Sequence, residues 1–280
     1  MISALKGEID IQKLPVDSEE HKFNSWKVKY KKSHILHSKC VNGPCEDDKN
    51  KCLLCIYNSE LELPHLPDMV FPNNVMVLQH DNGCGIEFNA LDALRRVSNG
   101  KLSLKVACSE EWKESRQEHG NLDEVKPFDW TFTTDYMGTL LGNFIVRQTD
   151  ERINIEKLRQ REQILFYNDL TLFEDELHDN GIAVCSVKVR VMPSSFFVLL
   201  RYFLRVDNVM LRTNDTRLYH EFGTDFILRE YTSRAAQASE IKHVPPSVLR
   251  EPNEVTPLLP LIESHYSKLS FPESSSSGIK

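Results

Sequence analysis

Apolar residues recur at every second position through the middle of the chain. Val198, Leu200, Tyr202, Leu204 and Val206 share one wholly apolar face, while Arg201 and Arg205 flank Phe203 on the other. Wound as a helix, the same residues would put both arginines on a stripe with Phe197, a poorly segregated surface. Period two fits a strand, buried on one face and centrally placed. Asp207-Asn208 supplies the positive-φ residues of a tight turn, and "VMLR" returns. Before this hairpin, "SVKVRVM" alternates Val187, Val189 and Val191 with Lys188 and Arg190; after it, "RLYHEF" and "FILREYTSR" continue the alternation. The pattern predicts four or five consecutive antiparallel strands.

Elsewhere the period changes. "VMVLQH" (75–80) and "GIEF" (85–88) read as strands joined by the turn "DNG", and "NALDALRRV" as a helix with Asn89 as N-cap and Asp92 three residues on. "WKVKYKK" from Trp26 reads as an edge strand, and "KLSLKVAC" and "FDWTFTTDY" as further strands. Phe166, Leu170, Phe173 and Leu177 recur at helical spacing and predict a long helix within 155–179, with Asn180-Gly181 as its C-cap. The expected fold is α+β: a single domain dominated by antiparallel sheet, with a long helix and a shorter one packed on it. Residues 1–25 are expected to be poorly ordered, 26–272 to form the domain with a cysteine-rich insert at about 38–58, and 273–280 to be a disordered tail. The Pro-rich stretch from His243 reads as an extended wrap.

Composition narrows the function. Of the 280 residues, 34 are basic and 41 acidic, a net charge of −7 that disfavours phosphate backbones and anionic lipid. No apolar run approaches the ~20 residues of a membrane span, and "MISALKGEID" has no signal-peptide core. Neither nucleic acid nor membrane is therefore an expected partner. Seven cysteines without a secretory signal point to reduced thiols in the cytosol or nucleus, and the protein is expected to be cytoplasmic.

Cys40, Cys45, Cys52 and Cys55 are spaced C-x4-C-x6-C-x2-C. Four thiolates at this spacing suit a structural zinc, although the x6 gap is short for the common modules. The plainer expectation is free thiols in a flexible insert, with no cofactor. Glu174 and His178, with the neighbouring acids, suit either a metal-dependent hydrolase or, more simply, a solvated polar face. Cys84 and Ser194-Ser195 lack the local context of an activated nucleophile, and no phosphate-binding glycine loop occurs. Asp215, in "RTNDTRLYHE", reads as a turn residue, either stabilising its own backbone or exposed beside Arg212 and Arg217 for recognition.

The blocks "GIEFNALDALRRV", "LKVACSEEW", "DWTFTTDYMGTLLG", "LFEDELHDNGI", "VKVRVMPSSFFVLLRYFLRVDNV" and "NDTRLYHE" resemble the TOR signalling pathway regulator-like family (TIPRL) over about 67–272. The resemblance implies a non-enzymatic protein that binds catalytic subunits of type 2A protein phosphatases, engaging their C-terminal tail and metal-bearing face and restraining activity and holoenzyme assembly. It implies phosphatase contacts at Asp92 and Asp215, and at Ile153 ahead of the expected long helix. The family pattern has Met where this chain has Thr213, and a cysteine-free segment where it carries the insert. Two rival classes remain on the residues alone: the hydrolase built on His178, and a zinc-bearing interaction scaffold.

Overall fold

The computed structural model describes residues 16–40, 45, 51–61, 63, 65–97, 130–160 and 162–272. Its frame is a meander of long antiparallel strands: β8 (Phe166–Asp175), β9 (Gly181–Val191), β10 (Ser195–Val206), β11 (Met210–Glu221), β12 (Phe226–Gln237) and β13 (Leu261–Ser270). Short β3 (Met69–Val70) and β7 (Ile145–Gln148) close its two edges, giving eight strands in the order β3-β8-β9-β10-β11-β12-β13-β7. β10 is central, paired with β9 on one side and β11 on the other. Its even-numbered residues from Val198 to Val206 are all buried, as their period requires. The β10–β11 hairpin turns at 207–209, with Asn208 at φ 60°.

A second sheet packs on that apolar face. It contains β1 (Asp17–Phe23), β2 (Trp26–Lys32), β4 (Val75–His80), β5 (Gly85–Asn89) and β6 (Thr139–Leu141), in the order β1-β2-β4-β5-β6. Trp26, Val28 and Tyr30 point inward while Lys27 and Lys29 point out. Trp26 meets Phe196 edge-on at 4.8 Å and His220 at 5.0 Å, so the two sheets share one core. Each fully buried aliphatic or aromatic side chain there contributes about 1.5–3 kcal/mol. Helix α1 (Leu53–Glu60) anchors on the same core through Tyr57, and Leu61 just beyond it does likewise. α2 (Ala90–Arg95) starts as expected, with the Asn89 side chain accepting the Asp92 amide at 2.8 Å.

Several elements differ from the expectation. There is no long helix over 155–179: only α3 (Ile155–Arg159) is helical, and 166–175 is strand β8. A register shift between Thr171 and Phe173 brings Leu170, Leu172 and Phe173 all into the core, which imitates helical spacing in the sequence. Asn180-Gly181 caps no helix. Leu177, His178 and Asp179 are left-handed, and a side chain at Gly181 (φ 153°) would collide with the Arg205 carbonyl. β2 is internal rather than an edge, because Asp17–Phe23, expected to be poorly ordered, pairs along it and sets Glu20 against Lys27 at 3.1 Å. The stretch "FDWTFTTDY" forms no strand over its described part: Trp130–Thr131 is a turn, and Thr134 makes one bridge to Val97. The Pro-rich segment is no simple extended wrap. It contains α4 (Pro252–Val255) and returns as β13 inside the sheet. The expected strand "KLSLKVAC" and the tail 273–280 lie outside the described residues.

Candidate binding face

The outward face of the large sheet holds three of the four sequence-predicted contact residues. Two short segments cover its ends. Residues 241–259 lay Ile241, Val244, Val255 and Leu259 over Phe203, Leu211 and Ala236. At the other end, Ile153 packs against Tyr219 and Leu228, with Leu158 and Phe197 beside them. Between these plugs the face is polar, and there the side chains are organised.

Asp215 is not an exposed turn residue. It lies mid-strand in β11, directly opposite Arg201 of β10, and is only 1% exposed. Arg201 donates through Nε and a terminal nitrogen to the two Asp215 carboxylate oxygens, each at 2.7 Å, a bidentate fork. The other terminal nitrogen of Arg201 reaches Asn253 Oδ1 at 2.7 Å, tying α4 to the sheet, and Arg217 approaches Asp215 at 3.5 Å. Thr213, two residues before on the same face, is also buried, and its hydroxyl accepts a bond from Thr256 at 3.2 Å. Ile153 likewise presents almost no surface; its amide donates to Glu230 Oε1 at 2.8 Å. All three positions therefore hold the covering segments in place.

Asp92 is placed differently. It stands in the first turn of α2, half-buried, and its carboxylate accepts from Thr139 Oγ1 at 2.6 Å, Asn89 Nδ2 at 3.0 Å and Arg95 at 2.8 Å. Burial pushes its pKa up, but those three bonds and the Arg95 charge outweigh it and hold the carboxyl below the usual range. Arg95 also pairs with Glu60 of α1. Asp92 shares a shallow groove with Arg96, Asp135 and Arg229. Arg229 is one residue from Glu230 on β12, whose alternate side chains leave opposite faces. Asp92 and Ile153 are therefore on different surfaces, not in one constellation.

Sequence reasoning missed the channel between the two plugs. Outward residues of β9 and β10, Ile182, Val184, Leu199 and Phe203, make its apolar floor, and Lys188, Arg201, Arg205, Arg250 and Glu251 line it. Of these, Arg201 and Arg205 are paired with Asp215 and Asp207. Two residues along β9, Arg190 borders a second depression with Lys157, Arg159, Ile164 and Tyr219. Among the described residues, neither Lys188 nor Arg250 has a carboxylate within ion-pair distance. In a chain of net charge −7, Lys188 and Arg250 thus place two unpaired cations on one recessed face, beside Glu251. Such a channel suits an extended, acidic peptide with apolar side chains. The signal was present as the outward Lys188–Arg190 and Arg201–Arg205 pairs, but their register was not.

Asp175 is buried and accepts backbone amides from Leu177 and Asp68, a turn-building role. Among the described residues, His178 and its neighbouring acids form no group of three or more metal-ligating atoms; the four insert cysteines do.

The fold and the channel define a two-sheet α+β protein with a recessed, partly apolar groove on the outward face of its large sheet. Comparison with known proteins is specific: the model of the TIP41-like family matches residues 69–242, and the chain belongs to that family. It is 52% identical over 255 residues to the TIP41-like protein of Homo sapiens, covering 90% of this chain and 89% of the relative. It is 32% identical over 281 residues to a Saccharomyces cerevisiae relative named type 2A phosphatase activator TIP41, covering 91% and 76%. A Schizosaccharomyces pombe relative of the same activator name is 30% identical over 264 residues, covering 90% and 98%.

Proposed function

We propose that this protein is a non-catalytic regulator that binds catalytic subunits of type 2A-family serine/threonine phosphatases, in the cytoplasm and in TOR-linked signalling. Membership of a family whose fungal relatives are named for type 2A phosphatase activation carries the reading. The basic channel supplies the mechanism. The phosphatase's C-terminal tail lies along β9 and β10, its carboxylate and acidic side chains facing Lys188 and Arg250, its apolar side chains on Leu199 and Phe203. Asp92, the most accessible of the four predicted positions, offers its charge to the body of the catalytic subunit. Asp215, Thr213 and Ile153 act one layer down, fixing the walls. Holding the tail and covering the metal-bearing face restrains the free catalytic subunit and its entry into holoenzymes.

Charge reversal tests this reading. Lys188→Glu with Arg250→Glu is expected to weaken capture of a purified type 2A catalytic subunit at least about tenfold with the melting temperature unchanged. A catalytic subunit lacking its tail should bind wild type and variant alike. Equal capture of the full-length subunit by both would remove the channel from the interface.

A further inference from the structure

The insert brings four sulfur atoms together. The Sγ atoms of Cys40, Cys45, Cys52 and Cys55 all lie within 4.8 Å of one another, with Cys40–Cys45 at 3.5 Å and Cys40–Cys52 at 3.6 Å. A zinc–thiolate bond of about 2.3 Å gives a tetrahedron with edges of about 3.8 Å, so the sulfurs stand at the corners of such a site. The backbone supports it. The Cys52 amide donates to Cys45 Sγ at 3.4 Å, and the Cys55 amide is directed at the Cys52 sulfur. Amide–sulfur bonds of this kind disperse thiolate charge, and Cys52 also occupies the N-cap of α1, where the helix dipole favours an anion.

Among the described residues of the insert, Tyr57 of α1 reaches the core. The insert's intervening residues, "VNGP" and "EDDKNK", are polar and bring no apolar core of their own. Four thiolates this close repel one another without a cation, whereas a divalent ion cancels half their charge. We propose that Cys40, Cys45, Cys52 and Cys55 form a closed structural zinc site that fixes α1 against α2 and so steadies the Glu60–Arg95–Asp92 chain of charges. Four protein ligands leave the ion no open position, so it builds structure and activates no water. Binding replaces the thiol protons with the metal and releases them to solvent, with no change in oxidation state.

The test uses the full chain, purified without a histidine tag under reducing conditions. Elemental analysis should find one zinc per chain, released in step with mercurial capping of the thiols. Cys52→Ser with Cys55→Ser should abolish the zinc and leave the β-sheet circular dichroism intact. Should that variant fail to fold, adding cobalt(II) to metal-stripped wild type decides the matter: tetrahedral thiolate coordination gives intense sulfur-to-metal charge-transfer absorption and visible d–d bands. Zinc-free protein with four freely titrating thiols, iron or disulfides in zinc's place, or cobalt(II) without those bands would overturn the proposal.

Discussion

The two faces of strand β10 use one sequence pattern for opposite ends. Inward, Val198, Leu200, Tyr202, Leu204 and Val206 sit in the shared core, where only shape and apolar area matter. Even the Tyr202 hydroxyl is satisfied there, donating to the Thr131 carbonyl at 2.7 Å. Outward, Asp215 of the neighbouring strand is buried as firmly and Arg201 largely so, but by an ion pair and a covering segment rather than by the second sheet. The inner face therefore determines whether the protein folds. The outer face determines what surface it presents, and its buried charges carry the tension between stability and recognition.

The comparison breaks most severely at Asp215. Asp215→Leu leaves the Arg201 guanidinium buried without a carboxylate and should cost about 3–5 kcal/mol in denaturant unfolding. Arg201→Leu with Asp215→Leu removes both charges and should recover more than half of that loss, short of full recovery because Asn253 loses its donor. A single variant as stable as the wild type would show that the pair is solvated after all. Loss of phosphatase capture on Asp215→Leu alone therefore reports the walls of the channel as much as any direct contact.

Among the described residues, His220 is a titratable weak point of the inner face. His220 lies among Trp26, Phe196, Phe222 and Phe271, and burial drives its pKa down to about 4, against a weaker upward pull from the Phe226 carbonyl that its Nδ1 contacts at 2.8 Å. The unfolded chain takes up this proton near pH 6.5 and the folded chain only near pH 4, so stability falls as pH drops through that window. The loss is on the order of 3 kcal/mol, and His220→Phe should flatten it. An unchanged acid limb in that variant would place the sensitive group elsewhere.

A smaller effect is expected at Asp92. Asp92→Ala removes the acceptor for Thr139, Asn89 and Arg95 and should cost about 1 kcal/mol, since the site is half-exposed. It should weaken capture of the catalytic subunit more than that stability loss explains. Because this carboxyl sits below its usual pKa, its share of stability is complete at neutral pH and disappears as acid protonates it.

Period two was sufficient to read β9, β10 and β12 and the two ends of β11, because the inward positions of these strands are apolar at every second residue. It failed at β8, where the shift between Thr171 and Phe173 reverses the parity and makes a strand imitate a helix. It failed again at Asp215. Asn-Asp-Thr is a good local turn signal, but β11 is hydrogen-bonded on both sides and Arg201 lies directly across, so tertiary pairing overrides local preference. The β13 return was hidden by the prolines ahead of it, Pro252, Pro257 and Pro260. Asp92 was legible because capping is local chemistry. For the insert, the cysteine spacing was visible in sequence, but the convergence of the four sulfurs needed α1 to be placed.

The most direct test of the central claim is binding of a purified type 2A catalytic subunit, measured side by side for the wild type and for Lys188→Glu with Arg250→Glu. Both residues lie outside the buried ion pair, so the fold should be untouched. A binding constant weakened about tenfold or more at unchanged stability, the difference shrinking as salt rises, supports a tail-binding channel on the outer face. Identical binding by the two proteins would contradict it.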